Sequence, residues 1–265
     1  MSILTNNNKI FTLGGSVLNY TISFPVKGDL INMDLDGNGN KTYRVLNMND
    51  NVAKVVAMYN IADSQKYNTT SITKPFDSLT VQDYMASDLD YYLIDTWYNT
   101  LTSTTKTAIV PKDILLDVWY LSTNSTISGN PTYSGTSGTT IPGTTDYSIG
   151  QYSDYVMYTT RKIYALSIQD IIDYLSDDDM KVDISAILRN VNIWKVFWNI
   201  EVQPNNSTSI WLRSASADNS DYVWFIDSDR GMLRINNMDY NYAVRPAFHI
   251  DLSKIPFTKT MEVTS

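Results

Sequence analysis

Side chains suited to molecular recognition are concentrated near the C-terminal end of the chain. Of the 29 residues from Ser214 to Tyr242, 16 are Asn, Asp, Ser or Tyr. Asn, Asp and Ser favour exposed turns, and tyrosine with serine and asparagine is the composition of antibody binding surfaces. The chemistry open to such side chains is noncovalent recognition through hydroxyl, amide and carboxylate hydrogen bonds. Residues 209–250 are therefore predicted to be a C-terminal display segment.

Alternation of polar and apolar residues predicts which of these side chains face a partner. In residues 222–226, Val223 and Phe225 occupy one strand face and Trp224 occupies the other. Trp224 has two interpretations. It is an exposed or half-exposed aromatic of the type enriched at binding hot spots, or it packs in the core with Ile226 beside it.

A second strand-like piece spans residues 232–236, in which Leu233 and Ile235 are expected to point inward and the even-numbered residues outward. The predicted ligand-binding residues are the outward positions of both pieces together with the polar turns that flank them. They are Ser216, Asp218, Asn219, Asp221, Tyr222, Trp224, Arg230, Met232, Arg234, Asn236, Asn237, Asp239, Tyr240, Asn241 and Tyr242.

Apolar and basic motifs bound this polar region, with WLRS at 211–214 and VRPAF at 244–248. Their arginines, Arg213 and Arg245, stand at matched positions and suggest a clamp for a carboxylate. The apolar neighbours favour a structural role instead, in which each guanidinium satisfies buried carbonyls or acidic partners. His249 lies in the same apolar stretch and is predicted to be a partly buried structural side chain.

Composition excludes several classes of function. The 265-residue chain is 43% hydrophobic, which is enough apolar content to bury the core of one large domain or two modest ones. Its net charge of −8 disfavours a phosphate-backbone partner, so nucleic acid binding is not expected. The lack of cysteine excludes thiolate metal sites and cysteine nucleophiles, and one histidine argues against zinc and triad chemistry. No cofactor, metal site or catalytic residue is predicted.

The N-terminal sequence MSILTNNNKIFTLGG lacks the charged leader and apolar run of a signal peptide. Membrane insertion is not expected either, because no run of about 18 apolar residues is present to span a bilayer. If the protein acts outside a cell, it leaves by another route, for instance by lysis inside a virion.

The elements that must position the display segment begin with a β-rich N-terminal part, residues 11–60. The sequence DGNGN at 36–40 lies between two apolar runs and predicts a hairpin. From Asp34 onward the same region resembles the start of an EF-hand loop, but Val45 stands where a bidentate glutamate is needed. A plain hairpin is favoured over a calcium site.

A helix is predicted over residues 87–101, with Ser87 or Asp88 as its N-cap. Its apolar side chains recur at spacings of three and four, which places them on one face of a helix. An aromatic stripe of this kind is typical of a core. Its members are Leu89, Tyr92, Leu93, Trp97 and Leu101.

Residues 122–150 are rich in Ser, Thr, Gly and Pro and predict a low-complexity insertion or long loop within the domain. A short helix is predicted over 168–175, where Ser167 and Asp170 form an acidic variant of the capping box. Residues 183–202 are expected to add a second helical segment and a strand, with three aromatic anchors, Trp194, Phe197 and Trp198.

The order of these features resembles a family of uncharacterised domains found in phages and in surface proteins of Gram-positive gut bacteria. That family carries WLRS(P), a variable Asn- and Ser-rich stretch, and then GVRPAF; the motifs here are WLRSA at 211–215 and AVRPAF at 243–248. The likeness runs from about Leu30 to Leu252 and includes LDYYLIDTWYNTL and RKIYALSIQDIIDYL. Ala replaces the usual Pro of the first motif and the usual Gly of the second, so the local turns are expected to differ.

The resemblance implies a C-type-lectin-like fold of the formylglycine-generating-enzyme type, an α+β domain with a small twisted sheet and two helices. Variable proteins of diversity-generating retroelements share this fold, and mutation of their adenine-rich codons alters binding. The Asn, Asp, Ser and Tyr content of residues 216–242 suits that history. The expected function is a display protein of phage or prophage origin that binds an unknown protein or glycan receptor, with a homo-oligomer as one possible state.

Two alternatives stay open. A structural subunit of a phage tail or surface assembly would need a fixed interface in place of a variable one. An enzyme is the second alternative, but the formylglycine-generating relatives use cysteines and the sulfoxide synthases of the same fold use a histidine cluster; this chain has no cysteine and one histidine. No spacing singles out a carboxylate pair for glycoside hydrolysis. The chain is not expected to be an enzyme.

Overall fold

Extended strands make up most of the regular structure in this computed structural model, which describes residues 12–13, 16–17, 24–69, 84–122, 148–151, 157–175, 209–216, 221–228 and 233–260. The strands are β1 (Thr12–Leu13), β2 (Ser16–Val17), β3 (Leu30–Met33), β4 (Lys41–Asn49), β5 (Val52–Ala57), β6 (Ala62–Lys66), β7 (Ile109–Val110), β8 (Lys112–Leu116), β9 (Val118–Ser122), β10 (Ser148–Gln151), β11 (Met157–Arg161), β12 (Ile163–Tyr164), β13 (Ile210–Ser216), β14 (Tyr222–Ile226), β15 (Leu233–Asn237), β16 (Asn241–Val244), β17 (Ala247–Asp251) and β18 (Thr258–Thr260). The helices are α1 (Asp88–Tyr91), α2 (Tyr98–Thr100), α3 (Ser103–Ala108) and α4 (Ile168–Leu175), with a 3₁₀ turn at Tyr84–Ala86 and a π-helical stretch at Tyr92–Trp97. The chain is a β-rich α+β protein, as the sequence predicts.

The first sheet joins the β-rich N-terminal part to the end of the chain. Among the described residues its strands lie in the order β12, β17, β5, β4, β3 and β18, with β7 paired to β17. Neighbouring strands are antiparallel throughout. Val55, Phe248 and Ile250 are fully buried. The last two residues of the VRPAF motif, Ala247 and Phe248, therefore begin β17, an interior strand of this sheet.

The second sheet carries the predicted display segment. Its described strands follow the order β10, β9, β13, β14 and β15, and β16 joins β13 to β6. β13 runs parallel to β9 and β16 and antiparallel to β14. β14 and β15 are antiparallel, with Tyr222 opposite Asn237 and Ile226 opposite Leu233. The WLRS motif in β13 is thus central in its sheet.

The hairpin predicted at DGNGN is confirmed, since β3 and β4 pair in an antiparallel register on either side of it. Gly37 and Gly39 adopt positive φ angles of 80° and 102°, a conformation that glycine reaches without steric cost. Asp34 Oδ1 accepts a hydrogen bond from Gly37 N at 2.8 Å, and Asp36 pairs with Lys41 at 2.6 Å. The carboxylates that resemble an EF-hand are engaged in the turn itself.

The helix predicted over 87–101 is confirmed as a continuous run of α1, the π-helical stretch and α2. Ser87 is its N-cap, and the Ser87 Oγ accepts a hydrogen bond from Asp90 N at 3.0 Å. A π-helix has more residues per turn than an α-helix, so a spacing of four keeps side chains on one face. The buried residues at that spacing are Leu89, Leu93, Trp97 and Leu101.

The short helix predicted over 168–175 is α4, and its capping pair is also confirmed. Ser167 N donates to Asp170 Oδ2 at 2.9 Å, and Asp170 N donates to Ser167 Oγ at 3.1 Å. These reciprocal bonds satisfy two backbone donors that the first turn of a helix leaves without partners.

The ends of the insertion predicted at 122–150 are paired strands. β9 and β10 are antiparallel, with Ser122 opposite Ser148 and Trp119 opposite Gln151. Residues 123–147 and the helix and strand predicted over 183–202 lie outside the described residues. In the ranges given above, no helix combines the length and apolar content needed to cross a lipid bilayer.

Candidate ligand-binding surface

Arg213 of the WLRS motif is a buried side chain, only 1% exposed. Its Nε donates to Leu115 O at 2.8 Å, and its Nη1 donates to Ala165 O at 2.6 Å and to Asp170 Oδ2 at 2.5 Å. Asp170 also accepts a hydrogen bond from Lys54 Nζ at 2.5 Å. The structural role predicted for Arg213 is confirmed, because its donors are used inside the protein.

The electrostatics of this cluster depend on Asp170. Burial opposes ionisation of the carboxyl, but Arg213 and Lys54 outweigh burial and hold the pKa of Asp170 well below its ordinary value. A single aspartate thus caps α4 and accepts hydrogen bonds from two cations. The capping role is predictable from the adjacent sequence, whereas Arg213 and Lys54 are 43 and 116 residues away.

Ser214 extends the buried polar cluster to Asp117, which lies between β8 and β9. Its Oγ donates to Asp117 Oδ1 at 2.6 Å and accepts from Ile168 N at 2.8 Å. Trp119 Nε1 donates to the other Asp117 oxygen at 2.7 Å. Burial raises the pKa of Asp117, while Arg213 and these hydrogen bonds act in the opposite direction. The WLRS motif is therefore held by Asp117, between β8 and β9, and by the start of α4.

The VRPAF motif is anchored in a similar way. Arg245 is 9% exposed, and its Nε donates to Asn60 Oδ1 at 2.7 Å. Burial lowers the pKa of Arg245 to about 10. The carbonyl of Val244 accepts a hydrogen bond from Ile61 N at 2.9 Å. The structural role predicted for Arg245 is confirmed.

His249 is partly buried in the first sheet, as predicted. Its Nδ1 lies 3.1 Å from the hydroxyl of Tyr164. Burial, together with the positive charges of Lys54 and Lys112, lowers the pKa of His249 to about 4. The imidazole is therefore neutral at physiological pH.

Two residues assigned to the binding surface from the sequence are buried, so those assignments are wrong. Trp224 is 0% exposed, and its Nε1 donates to Trp119 O at 3.2 Å. Its strand, β14, lies between β13 and β15 and is covered on both faces, because Val223 and Phe225 on the opposite face are buried as well. Ser216 is also 0% exposed, since β13 is enclosed by β9 and β14.

The remaining described members of the predicted set lie together at the surface, along the start of β14, along β15, and along the turn into β16. Arg234 is exposed and Leu233 is buried, which confirms the predicted orientation of this strand. Four predicted residues, Asp218, Asn219, Arg230 and Met232, lie outside the described residues. We call the following partly or fully exposed residues the display surface: Asp221, Tyr222, Arg234, Asn236, Asn237, Asp239, Tyr240, Asn241 and Tyr242.

An aromatic cluster connects the core to the display surface. Tyr242 stacks on Phe225, with ring centroids 4.6 Å apart, and packs against Trp211 at 4.5 Å. Each such pair contributes roughly 0.5–1.5 kcal/mol beyond the burial of its surface. The ring centroid of Tyr240 lies 6.4 Å from that of Tyr242, and Tyr240 is 55% exposed. Tyr242 is therefore anchored, and Tyr240 is available to a partner.

Polar contacts organise the same surface. Asn236 Nδ2 donates to the Tyr242 hydroxyl at 2.6 Å, and Asn237 Oδ1 accepts from Asp239 N at 3.2 Å. Arg234 Nε lies 3.0 Å from an oxygen of Asp227. In the part of the chain that the structure describes, no group of three or more His, Cys, Asp or Glu side chains is placed to hold a metal ion. The arrangement offers hydrogen bonds and an aromatic face to a ligand.

One component of the site was not predicted from the sequence. β6 pairs with β16, which places Lys66 opposite Asn241 and Gln65 opposite Tyr242. Trp211 Nε1 also donates to the carbonyl of Gln65 at 2.8 Å. The polar sequence ADSQK of β6 lacks the apolar alternation that marks a strand, so no local signal indicates this pairing.

These features define the class of protein, a β-rich α+β domain in which two buried arginine motifs frame a polar and aromatic surface. The chain belongs to the family described as Domain of unknown function (DUF6273), whose model matches residues 61–252. The matched range contains both motifs and the whole display surface. No curated protein and no solved structure matches the chain.

Proposed function

We propose that this protein is a ligand-binding display protein with a C-type-lectin-like fold of the formylglycine-generating-enzyme type. It binds a protein or glycan receptor through the display surface and has no catalytic role. The observation that carries the proposal is the contrast between the motifs and the segment between them. The Arg213 side chain is 1% exposed, whereas Tyr240 is 55% exposed. A fixed frame of this kind tolerates replacement of the exposed side chains without loss of the fold.

The proposal includes diversification by a retroelement in a phage or prophage, with the protein carried on a virion or cell surface. Support comes from the residue types of the display surface, where eight of nine members are Asn, Asp or Tyr. All three amino acids have adenine at the second codon position, so mutation of adenine exchanges these side chains for others. The buried residues Ser214, Ser216 and Trp224 are excluded from the variable set.

Resequencing the gene across a population of its host tests the diversification. Substitutions are expected at display-surface positions such as Asp239, Tyr240 and Asn241. The WLRS and VRPAF motifs and residues 223–226 are expected to stay constant, because they are buried. Substitutions spread evenly over buried and exposed positions would contradict the proposal.

A binding assay tests the surface itself. Labelled protein is incubated with a panel of intact Gram-positive gut bacteria, and the Tyr240→Ala, Asn241→Ala double variant is expected to lose binding to the strains that retain the parent protein. The matched control is Tyr158→Ala in β11, because Tyr158 is 70% exposed and lies away from the display surface. If the double variant binds cells normally but fails to join a phage particle, the protein is an assembly subunit.

A further inference from the structure

A groove of about 420 Å³ opens beside the display surface, between β6 and the helix formed by α1, the π-helical stretch and α2. Binding pockets for small ligands are concave and carry a few well-placed polar groups around an apolar contact. The residues lining this groove include Ser64, Gln65, Asp88, Tyr91, Thr96 and Asn241. Five of these six lie outside the C-terminal segment to which sequence reasoning confined the site.

Tyr91 provides the apolar contact in this groove. Its side chain is 62% exposed, in contrast to the buried members of the same helix such as Leu89 and Leu93. The face of an aromatic ring carries negative charge density, so it attracts the polarised C–H groups on the flat face of a sugar ring. An exposed tyrosine ring in a polar groove is therefore suited to hold a pyranose.

The polar lining consists mainly of uncharged groups. Gln65 and Asn241 each have an amide that both donates and accepts hydrogen bonds, which matches the two roles of a sugar hydroxyl. Asp88 adds a carboxylate acceptor that is held in place by Thr69 N at 2.6 Å. Lys66 also lines the groove, and its positive charge balances the negative charge of Asp88. The groove therefore does not select for a charged ligand.

Direct contacts hold the two walls of the groove together. The Tyr92 hydroxyl donates to the carbonyl of Ile61 at 3.2 Å, and Leu89 N donates to the carbonyl of Tyr67 at 3.1 Å. These bonds join the helix to both ends of β6. The groove is therefore a preformed part of the fold, which lowers the entropic cost of binding a ligand.

The groove is continuous with the display surface. Asn241 belongs to both, and it lies opposite Lys66 in the pairing of β16 with β6. We infer that the groove binds a neutral saccharide and that the display surface contacts the rest of the same glycan. The inference rests on the proposed function and names the ligand class. Tyr91 and Gln65 supply invariant contacts to one sugar, and exposed residues such as Tyr240 distinguish its neighbours.

The test measures binding of the full chain to immobilised neutral oligosaccharides ending in glucose, galactose, mannose or N-acetylglucosamine. At least one oligosaccharide is expected to bind, and Tyr91→Ala is expected to weaken its affinity by about tenfold or more, the effect of removing a hot-spot contact. Tyr91→Phe is expected to retain most of the affinity because the ring face remains. Tyr158→Ala, which removes an equally exposed tyrosine from β11, should leave affinity unchanged.

The outcomes separate this inference from the proposed function. If no oligosaccharide binds, or if Tyr91→Ala and Tyr158→Ala bind equally well, the saccharide groove is wrong. The proposed function then survives if binding to intact bacteria still depends on Tyr240 and Asn241. If oligosaccharides bind through Tyr91 but replacement of Tyr240 does not change binding to cells, the groove is a saccharide site and the display surface is not the variable contact.

Discussion

Two arginines of the C-terminal segment each pair with an aspartate, yet their surroundings differ. Arg213 and Asp170 have side chains that are 1% and 9% exposed, and Arg213 also donates to two backbone carbonyls. Arg234 and Asp227 lie 3.0 Å apart; the Arg234 side chain is 49% exposed, although the Asp227 side chain is only 9% exposed. Removing a cation from a fully buried cluster leaves charge and hydrogen-bond acceptors uncompensated, whereas a half-exposed guanidinium already shares its charge with water. The first pair supports the fold, and the arginine of the second belongs to the display surface.

The largest effect is expected from breaking the buried pair. Arg213→Met should lower the free energy of unfolding by about 3–5 kcal/mol, because the buried carbonyls of Leu115 and Ala165 lose their donor and Asp170 loses one of its two cations. Chemical denaturation measures the loss. Arg234→Met is the matched control and should cost less than Arg213→Met, because the Arg234 side chain is 49% exposed. Equal losses for the two variants would remove the distinction between the regions.

Lowering the pH tests the buried part of the protein separately from the display surface, because His249, the chain's one histidine, is partly buried in the first sheet. The pKa of His249 is lowered from 6.5 to about 4, so the unfolded chain takes up the proton first as pH falls. The stability that depends on neutral His249 is fully present above pH 6.5 and is lost as pH falls from 6.5 to about 4, by about 3 kcal/mol. Denaturation at several pH values measures this slope.

His249→Gln isolates the contribution of the histidine to that slope. Glutamine has no titrating group, so the free energy of unfolding should vary less between pH 6.5 and 4 than in the parent protein. An unchanged slope would assign the acid sensitivity to carboxylates instead.

Truncation of Tyr242 tests whether this member of the display surface also stabilises the core. Tyr242→Ala should cost about 2 kcal/mol, because the ring packs against both Phe225 and Trp211. Tyr240→Ala should change stability by about 0.5 kcal/mol or less, since its ring is 55% exposed. Thermal unfolding of the two variants gives the comparison directly. A large loss of stability for Tyr240→Ala would show that the turn between β15 and β16 also supports the fold.

The smallest effect is expected from the hydrogen bond between Asn236 and Tyr242, whose donor and acceptor are 2.6 Å apart. Asn236→Ala and Tyr242→Phe should each cost about 1 kcal/mol, a typical net value for one hydrogen bond. The double variant should cost little more than either single change, because both remove the same bond. Fully additive losses in this cycle would show that the two groups do not interact.

The parts of the fold that follow from local sequence were predictable. The DGNGN turn, the helix with its Ser87 cap, and the Ser167 and Asp170 pair each depend on residues a few positions apart. The structural roles of Arg213 and Arg245 were also predictable, because both sit among apolar residues. Their partners were not, since Asp170 and Asn60 are 43 and 185 residues away in the chain.

Trp224 illustrates why the site was only partly predictable. Alternation along a strand separates two faces, but it does not reveal whether both faces are covered. Coverage of β14 depends on what packs against each face of its sheet, and no residue of β14 specifies that packing; Val223, Trp224 and Phe225 are all buried. β15 has one face toward solvent, as the exposed Arg234 shows, and there the alternation gave the correct orientations.

The pairing of β9 with β10 has a consequence for how this gene can change in length. Ser122 and Ser148 are directly opposite in the antiparallel ladder, which places their Cα atoms about 5 Å apart. Chain added or removed between two such points alters the closure entropy slowly, by about 0.6 kcal/mol for each doubling of length. Insertions and deletions there are expected to leave β9 and β10 paired, so this position suits the grafting of a peptide tag or a foreign epitope.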